Sequence, residues 1–446
     1  MIGLRRTLDS LEYFTFAFGS MVGVGWLVIM DDWLGRGGPG GAMLGFLLGG
    51  ILLLPIARTY GRLVRDIPDA GAEVAYAEGV FPPFAGFAIG WMMVLAYAIV
   101  CPWEAVAIGN LLARVFPGIN TGALYAVAGK TIFAPRLVVG LALTALIGVV
   151  NYRGIRLSGR IQDVTTIGLL VCFGIFAALG FAHGEATRLE PLFARPGTAG
   201  ALVSILLVAQ IVPYFMTGFE SVSKASEEAR PGFDPRRFGQ AMTLAVVAGA
   251  AFYVIVVGAV AFVFPWRDLV RQHLGTEAAF ARAFESPAVA RLILCAAFLS
   301  LFKVFNGNFV AATRLVFALG RRRLVHPGLG AIHSSHGTPI AAIGLMTLFT
   351  AAGAFLGDAL LVPITEVGSL AAGVGWCAAC LAFVARRRSD TRTAGTRLAL
   401  LGAAVSACII LMKVIPGVPG SFTAVEWIAL AGWCGLGLAF WVARRR

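Results

Sequence analysis

The sequence predicts an all-α polytopic membrane protein of about twelve transmembrane helices, and three observations lead there. Of 446 residues, 59% are hydrophobic and 13% are charged, with a mean hydropathy of +0.84; a soluble domain holds about 25% charged residues. The apolar residues fall in runs of roughly twenty, the length that crosses a hydrocarbon core. The net charge of +13 is gathered in short loops between those runs, where it orients a membrane protein, so it argues against a nucleic-acid partner.

In chain order the runs are 11–34, 40–60, 84–115, 134–151, 160–181, 199–222, 238–264, 289–320, 338–357, 360–385, 396–415 and 422–443. Arg5 and Arg6 precede the first run. Arg58, Arg62 and Arg65 follow the second, and Arg153, Arg156 and Arg160 separate the fourth and fifth. Lys224, Arg230, Arg236 and Arg237 follow the sixth, and Arg321, Arg322 and Arg323 the eighth. Arg386, Arg387, Arg388, Arg392 and Arg397 follow the tenth, and Arg444, Arg445 and Arg446 end the sequence. With twelve crossings all of these share one side, which places both termini in the cytoplasm at the cell's inner (plasma) membrane, in contact with lipid. The first run is too long for a cleavable signal and lacks a small-residue cleavage site. Gly37-Gly38-Pro39-Gly40-Gly41 reads as a sharp external turn. The loop 265–288 is the longest external segment, with a short interfacial helix over Trp266–Arg271. All seven cysteines sit in apolar runs and read as small buried hydrophobes, not a disulfide framework.

Two runs do not read as plain helices. The first contains Gly19, Gly23 and Gly25 within seven positions, each costing a helix about 1 kcal/mol relative to alanine. Unwound backbone at membrane depth is tolerated where it lines a cavity or is buried in protein. The alternative is an unbroken helix using Gly19-x-x-x-Gly23 for close packing. In the sixth run, Pro213 and Gly218 flank the middle and Glu220 follows; an internal proline removes a helical hydrogen bond. The first run enters from the cytoplasm and the sixth, five crossings later, from outside. Two interrupted segments at matching places in oppositely oriented halves point to a transporter's midplane site. The halves are about 10–181 and 199–385, within a ten-helix core over 1–385, and 386–446 adds two helices.

Gly19-Ser-Met-Val-Gly23-Val-Gly25 and Thr217-Gly218-Phe219-Glu220 carry a resemblance. Glu227-Glu228-Ala-Arg-Pro231, Asn151-Tyr-Arg-Gly154, Ala312-Thr313-Arg314 through Gly320-Arg321, and Gly337-Thr338-Pro339 agree with it. The chain resembles the amino acid–polyamine–organocation transporter superfamily over at least residues 10–385. The resemblance implies a LeuT-like inverted repeat of five plus five helices with two added, and secondary active transport of an amino acid or small organic amine.

The first break offers backbone N–H groups at a half-helix start, which favour an anion. Ser20, Val22, Gly23 and Gly25 are therefore expected around a substrate carboxylate. Carbonyls from Phe215 through Thr217 to Gly218 suit an ammonium, and Tyr214 is placed as an aromatic lid, with Trp26 and Trp103 as weaker candidates. Glu220, an acid just past a break at membrane depth, is expected to couple a proton or hold an amine; the bland alternative is an i,i+4 surface pair with Lys224. Some members of the resembled family place a proton-sensitive Glu after this glycine. Lys303 lies eleven residues before Arg314, about 16 Å along a helix, hence near the midplane. Proton-coupled relatives often carry a lysine in the fifth span, and here Gln162 to Leu170 has none. Lys303 is therefore expected to stand where a sodium ion otherwise binds; the alternative is a structural lysine on carbonyls of the unwound first run. Glu104 reads as a ligand for a cationic group, a partner of Lys303, or a packing contact. Glu366 is a vaguer acid of the same kind, and Asp31-Asp32 a solvated turn or a lure for cations.

His326, His333 and His336 lack metal-site spacing, no strand precedes the glycine-rich stretch, and no protease or phosphate-loop signature appears. The reading is a permease, not an enzyme, with no cofactor and no metal. It moves an amino acid or amine by alternating access and is proton-coupled or exchanging. A sodium symporter is the runner-up; a channel and a substrate sensor are the rivals from other classes.

Overall fold

The computed structural model describes residues 4–357, 363–387, 393–418 and 420–444; Arg388, Arg392, Arg445, Arg446 and the start of the run at 360 lie outside them. Among the described residues ten helices are long and apolar enough to cross a membrane. Two shorter apolar helices, Gly197–Ala209 and Ile340–Ala354, stand sixth and ninth in chain order. These segments are numbered one to twelve below. The protein is thus an all-helical, multi-pass membrane protein.

Local chemistry explains the element ends. Asp9 caps segment one: its carboxylate accepts from the Leu11 and Glu12 amides at 2.9 and 3.4 Å, and Glu12 accepts from the Asp9 amide at 2.6 Å. Such a capping box satisfies N–H groups a helix start leaves free. The expected turn falls at Gly38, where φ is +67° inside the bent helix Met30–Asp66. A β-carbon there would lie 2.7 Å from the Ala194 nitrogen, so only glycine fits both the backbone angle and the space.

The loop 265–288 holds two helices, Trp266–Arg271 and Thr276–Phe284, and not one. Thr276 Oγ1 donates to the Trp26 carbonyl at 2.5 Å, seating the second against segment one. An antiparallel hairpin, Ala123–Val127 with Lys130–Phe133, joins segments three and four; its alternation is too short to stand out from the flanking apolar runs. Segments one and ten are the most enclosed, 72% of each apolar window being buried, against 17% for segment twelve. Segments five and eleven, each 33% buried, join segment twelve at the periphery. The cysteines divide on the same principle: Cys101, Cys172 and Cys380 are buried, but Cys295, Cys408 and Cys434 are exposed. Reading all seven as buried is corrected, because an apolar run in a membrane protein has an outward face as apolar as its core.

Candidate functional site

Segment one stops at Met21. Val22 is extended (φ −87°, ψ 92°), and a four-residue helix resumes at Gly25–Val28. A helix end leaves its last carbonyls without partners, and here neighbouring side chains take them one by one. Lys303 Nζ donates to Gly19 O at 3.2 Å and, more closely, to Val22 O. Asn308 Nδ2 donates to Ser20 O and Ser300 Oγ to Val22 O, both at 3.2 Å. The Tyr253 hydroxyl lies 3.3 Å from Met21 O. The N–H groups of Gly23, Val24 and Gly25 bond to no backbone carbonyl of the described residues.

The sixth run breaks twice. Segment six ends at Ala209, a short helix spans Val212–Met216, Thr217 is extended (ψ 138°), and Gly218 has φ +122° before Ser221–Lys224. Thr217 Oγ1 returns to Pro213 O at 2.6 Å. Tyr253 OH also lies 3.1 Å from Phe215 O, so one phenol ties both breaks together. A β-carbon on Gly218 would sit 2.7 Å from Ser20 Cβ; the two unwound stretches touch through a position only glycine fits.

Between them lies a cavity of about 410 Å³, within the several-hundred Å³ range of small-molecule sites. Ser20, Gly23, Gly25, Tyr214, Phe215, Thr217 and Glu104 are on its wall, with Trp103 and Asn308. The Glu104 carboxylate stands against the bare backbone of Gly23: a β-carbon there would be 3.5 Å from Oε1. Glu104 is buried and its Oε2 has no hydrogen-bond partner. Asp31, Asp32 and Arg36 line the outer part of the cavity, where exposure rises. Glu366 is also on the wall and pairs with Lys413 of segment eleven.

Two expectations are corrected in placement: Val22 and Gly218, expected around the substrate, are not on this wall. Glu220 and Lys303, expected as coupling groups and not as substrate ligands, are outside it too. The Val22 carbonyl turns to segment eight, which competes successfully for it. Trp26 is also off the wall, packed between Phe176 and Phe252. Lys303 does not pair with Glu104; its ammonium is spent on carbonyls of the unwound stretch. Glu220 makes no surface bridge to Lys224. Both are fully buried, and Lys224 Nζ donates to Glu73 Oε1 at 2.5 Å and to the Glu220 carbonyl at 3.3 Å. Glu220 Oε2 accepts from the Gly218 amide at 3.1 Å, and Oε1 is buried without a partner.

Glu73 was not visible as a site residue in the sequence. It lies in the helix Glu73–Ala77, outside every apolar run, where an acid reads as a loop charge. Its partners are the Tyr60 hydroxyl at 2.7 Å, from the preceding helix, and Lys224, 151 positions away. Asn308, Ser300 and Tyr253 were equally unreadable, since polar residues in apolar helices reveal no partner.

Opposite the mouth, the resemblance motifs meet. Arg314 holds Glu228 with two hydrogen bonds, 2.8 and 3.2 Å, both side chains buried. Arg321 pairs with Glu227 at 2.5 Å and with Asp69 at 3.1 Å, and Arg322 with Asp69 at 2.8 Å. Asn151 Nδ2 donates to Asn306 Oδ1 at 3.2 Å, fastening segment four to segment eight. Among the described residues no group of three His, Cys, Asp or Glu side chains could hold a metal ion.

Comparison with known proteins agrees with this architecture. The amino-acid permease RocE of Bacillus subtilis (strain 168) is 24% identical over 88% of this chain and 83% of its own length. The methylthioribose transporter of the same organism is 26% identical over 97% and 92%, and its branched-chain amino acid permease BcaP 25% identical over 82% and 77%. The family model described as amino acid permease matches residues 13–419, and over that stretch, which takes in both breaks, the cavity and the paired motifs, the chain belongs to the amino acid permease family.

Proposed function

We propose that the protein is a secondary active transporter that moves an amino acid or small organic amine across the plasma membrane by alternating access, coupled to protons or to exchange. The observation that carries this reading is the pairing of unlike ends at one point. Amides of Gly23 to Gly25 that bond to no backbone carbonyl of the described residues share a cavity wall with Glu104, whose Oε2 is buried without a partner. Peptide N–H groups attract a carboxylate, and a buried carboxylate attracts an ammonium, so the wall complements both ends of a zwitterion. Tyr214 and Phe215 supply the apolar side.

In this reading residues 1–385 form the transport core, with inverted repeats about 10–181 and 199–385. Residues 386–446 add two outer helices. Both termini are cytoplasmic, and the cavity opens to the outside. The relatives leave the cargo open: two are named for amino acids and one for methylthioribose.

Sodium coupling is the weaker reading, because Lys303 already donates to Gly19 O and Val22 O. A fixed ammonium supplies the charge a bound cation would bring to those carbonyls. Glu220, buried beside the Glu73–Lys224 pair with one oxygen unpartnered, is the group we assign to proton coupling.

The test is a thermal-shift screen of the purified protein against amino acids and amines, since a ligand of the native state raises its melting point. Counterflow uptake of each hit in liposomes follows, with and without a proton gradient and with sodium replaced by potassium. Uptake that needs sodium would overturn the coupling assignment. Saturable binding without uptake would make the protein a sensor.

A further inference from the structure

We propose that a basic groove between segments two and seven binds an anionic phospholipid of the surrounding bilayer, head group among arginines and acyl chain along Leu244 and Val247. The groove encloses about 550 Å³. Its first wall is Arg58, Arg62 and Arg65, spaced four and three residues apart in the helix Met30–Asp66, so they share one face. Arg236, at the start of the helix Arg236–Val263, faces them from the other side.

These charges are not balanced from within. Arg65 meets Asp66 at 3.2 Å, a carboxylate that Arg387 also approaches at 3.4 Å. Among the described residues Arg58, Arg62 and Arg236 have no carboxylate partner. Arginines gathered this closely repel one another, and an anion between them relieves the repulsion. A guanidinium presents a planar fork that suits phosphate oxygens.

The floor is bare backbone. A β-carbon added to Gly61 would lie 2.5 Å from Gly239 Cα. The two helices therefore touch at a glycine pair, and the space above it is left open between the arginine walls.

The groove continues the wrong way for a soluble anion. From Arg236 it runs by Gln240 to Leu244 and Val247, which are 56% and 51% exposed. Val247 lies eleven residues along the helix, about 16 Å from its start, and so faces hydrocarbon. A ligand that fills the groove is charged at one end and apolar along its length. Basic pockets between membrane helices at the positively biased face select anionic head groups in this way.

The experiment compares the delipidated full-length protein with phosphatidylglycerol, with phosphatidylcholine of the same chains, and with inorganic phosphate. Phosphatidylglycerol is expected to raise the melting temperature by several degrees, and the zwitterionic lipid and phosphate are not. The shift shrinks at about 1 M salt, where the screening length is about 3 Å. In the Arg58→Gln/Arg62→Gln variant the shift is expected to fall by at least half. Gln240→Glu, an exposed substitution that keeps every arginine but adds a carboxylate to the wall, is expected to do the same. Gln240→Glu decides the matter if the double variant fails to fold. Equal shifts with both lipids, or a phosphatidylglycerol shift untouched by Gln240→Glu, would overturn the proposal. A full shift from phosphate alone would make this a free-anion site and overturn it as well.

Discussion

At the mouth of the cavity Asp32 and Arg36 pair at 2.7 Å, 43% and 29% exposed, and His273 reaches Asp31 at 3.4 Å, itself 86% exposed. At the closed end Glu228 and Arg314 meet at 2.8 Å, and Glu73 and Lys224 at 2.5 Å, with essentially no exposure on any of the four. The distances are alike and the energetics are not. An exposed pair contributes about 0–1 kcal/mol, because water competes for both partners. Removing one partner of a buried pair costs about 3–5 kcal/mol, because it strands a charge. Separating the charges at the mouth therefore costs little, whereas separating those at the far end strands buried charges.

The largest expected effect follows from that contrast. Arg314→Met strands Glu228 and should destabilise the protein by about 3–5 kcal/mol, read as an earlier melting transition in detergent. Adding Glu228→Met should recover much of the loss, since two apolar side chains strand nothing. A single variant that melts like the wild type would remove the distinction between the ends.

Next in size is Lys303→Ala. It leaves Gly19 O without its side-chain donor, while Val22 O keeps Ser300. One stranded buried carbonyl costs about 1–3 kcal/mol. Loss of uptake should accompany it. If the carbonyl cage is one a cation can fill, this variant should melt higher in sodium than in potassium while the wild type shows no difference. Equal melting in both salts would leave Lys303 a structural tie.

Glu220→Gln should change stability little, because a glutamine oxygen can still accept from the Gly218 amide. It should instead flatten the dependence of uptake on pH. A variant with the wild-type profile would move the coupling proton elsewhere, first to Glu73, the other carboxylate around Lys224.

What was legible in the sequence divides along the same line. The breaks could be read because backbone preference is local: Gly19, Gly23 and Gly25, or Pro213 with Gly218, weaken a helix whatever surrounds them. Glu104 could be read because an acid inside an apolar run is conspicuous. The closed end could be read only as motifs. Glu228 and Arg314 are 86 positions apart, and nothing in either stretch names the other. Glu73 was invisible for the opposite reason: it stands in a polar connection that the fold buries. Lys224 reads in the sequence as a loop charge or, in the bland alternative, as the i,i+4 partner of Glu220, and the lysine reaches across to Glu73 on another helix instead.

Asp69 sits between the extremes. Burial raises its carboxyl, but the Arg322 and Arg321 guanidinium groups and the Gly71 amide outweigh burial and hold it below the ordinary value of 3.8. A carboxylate depressed on folding adds stability above its unfolded value, and that stability is lost as pH falls through the lower folded value. The wild type should therefore lose more stability than Asp69→Asn as pH falls below about 4. Parallel acid melting curves would mean that the Arg321–Asp69–Arg322 contacts contribute nothing at the closed end.

The smallest expected effect is the sharpest check on the comparison. Arg36→Ala removes the strongest charge contact at the mouth, yet both partners are solvated, and a surface i,i+4 pair contributes about 0.3–0.5 kcal/mol. Its melting point should stay near that of the wild type at low salt and coincide with it at high salt, where screening already removes the contact. A larger loss would mean that the Asp32–Arg36 contact is formed behind a closed mouth for part of the time, shielded from water. In that case the mouth would be latched by charge as the far end is, and the difference between the two ends would be one of conformation and not of construction.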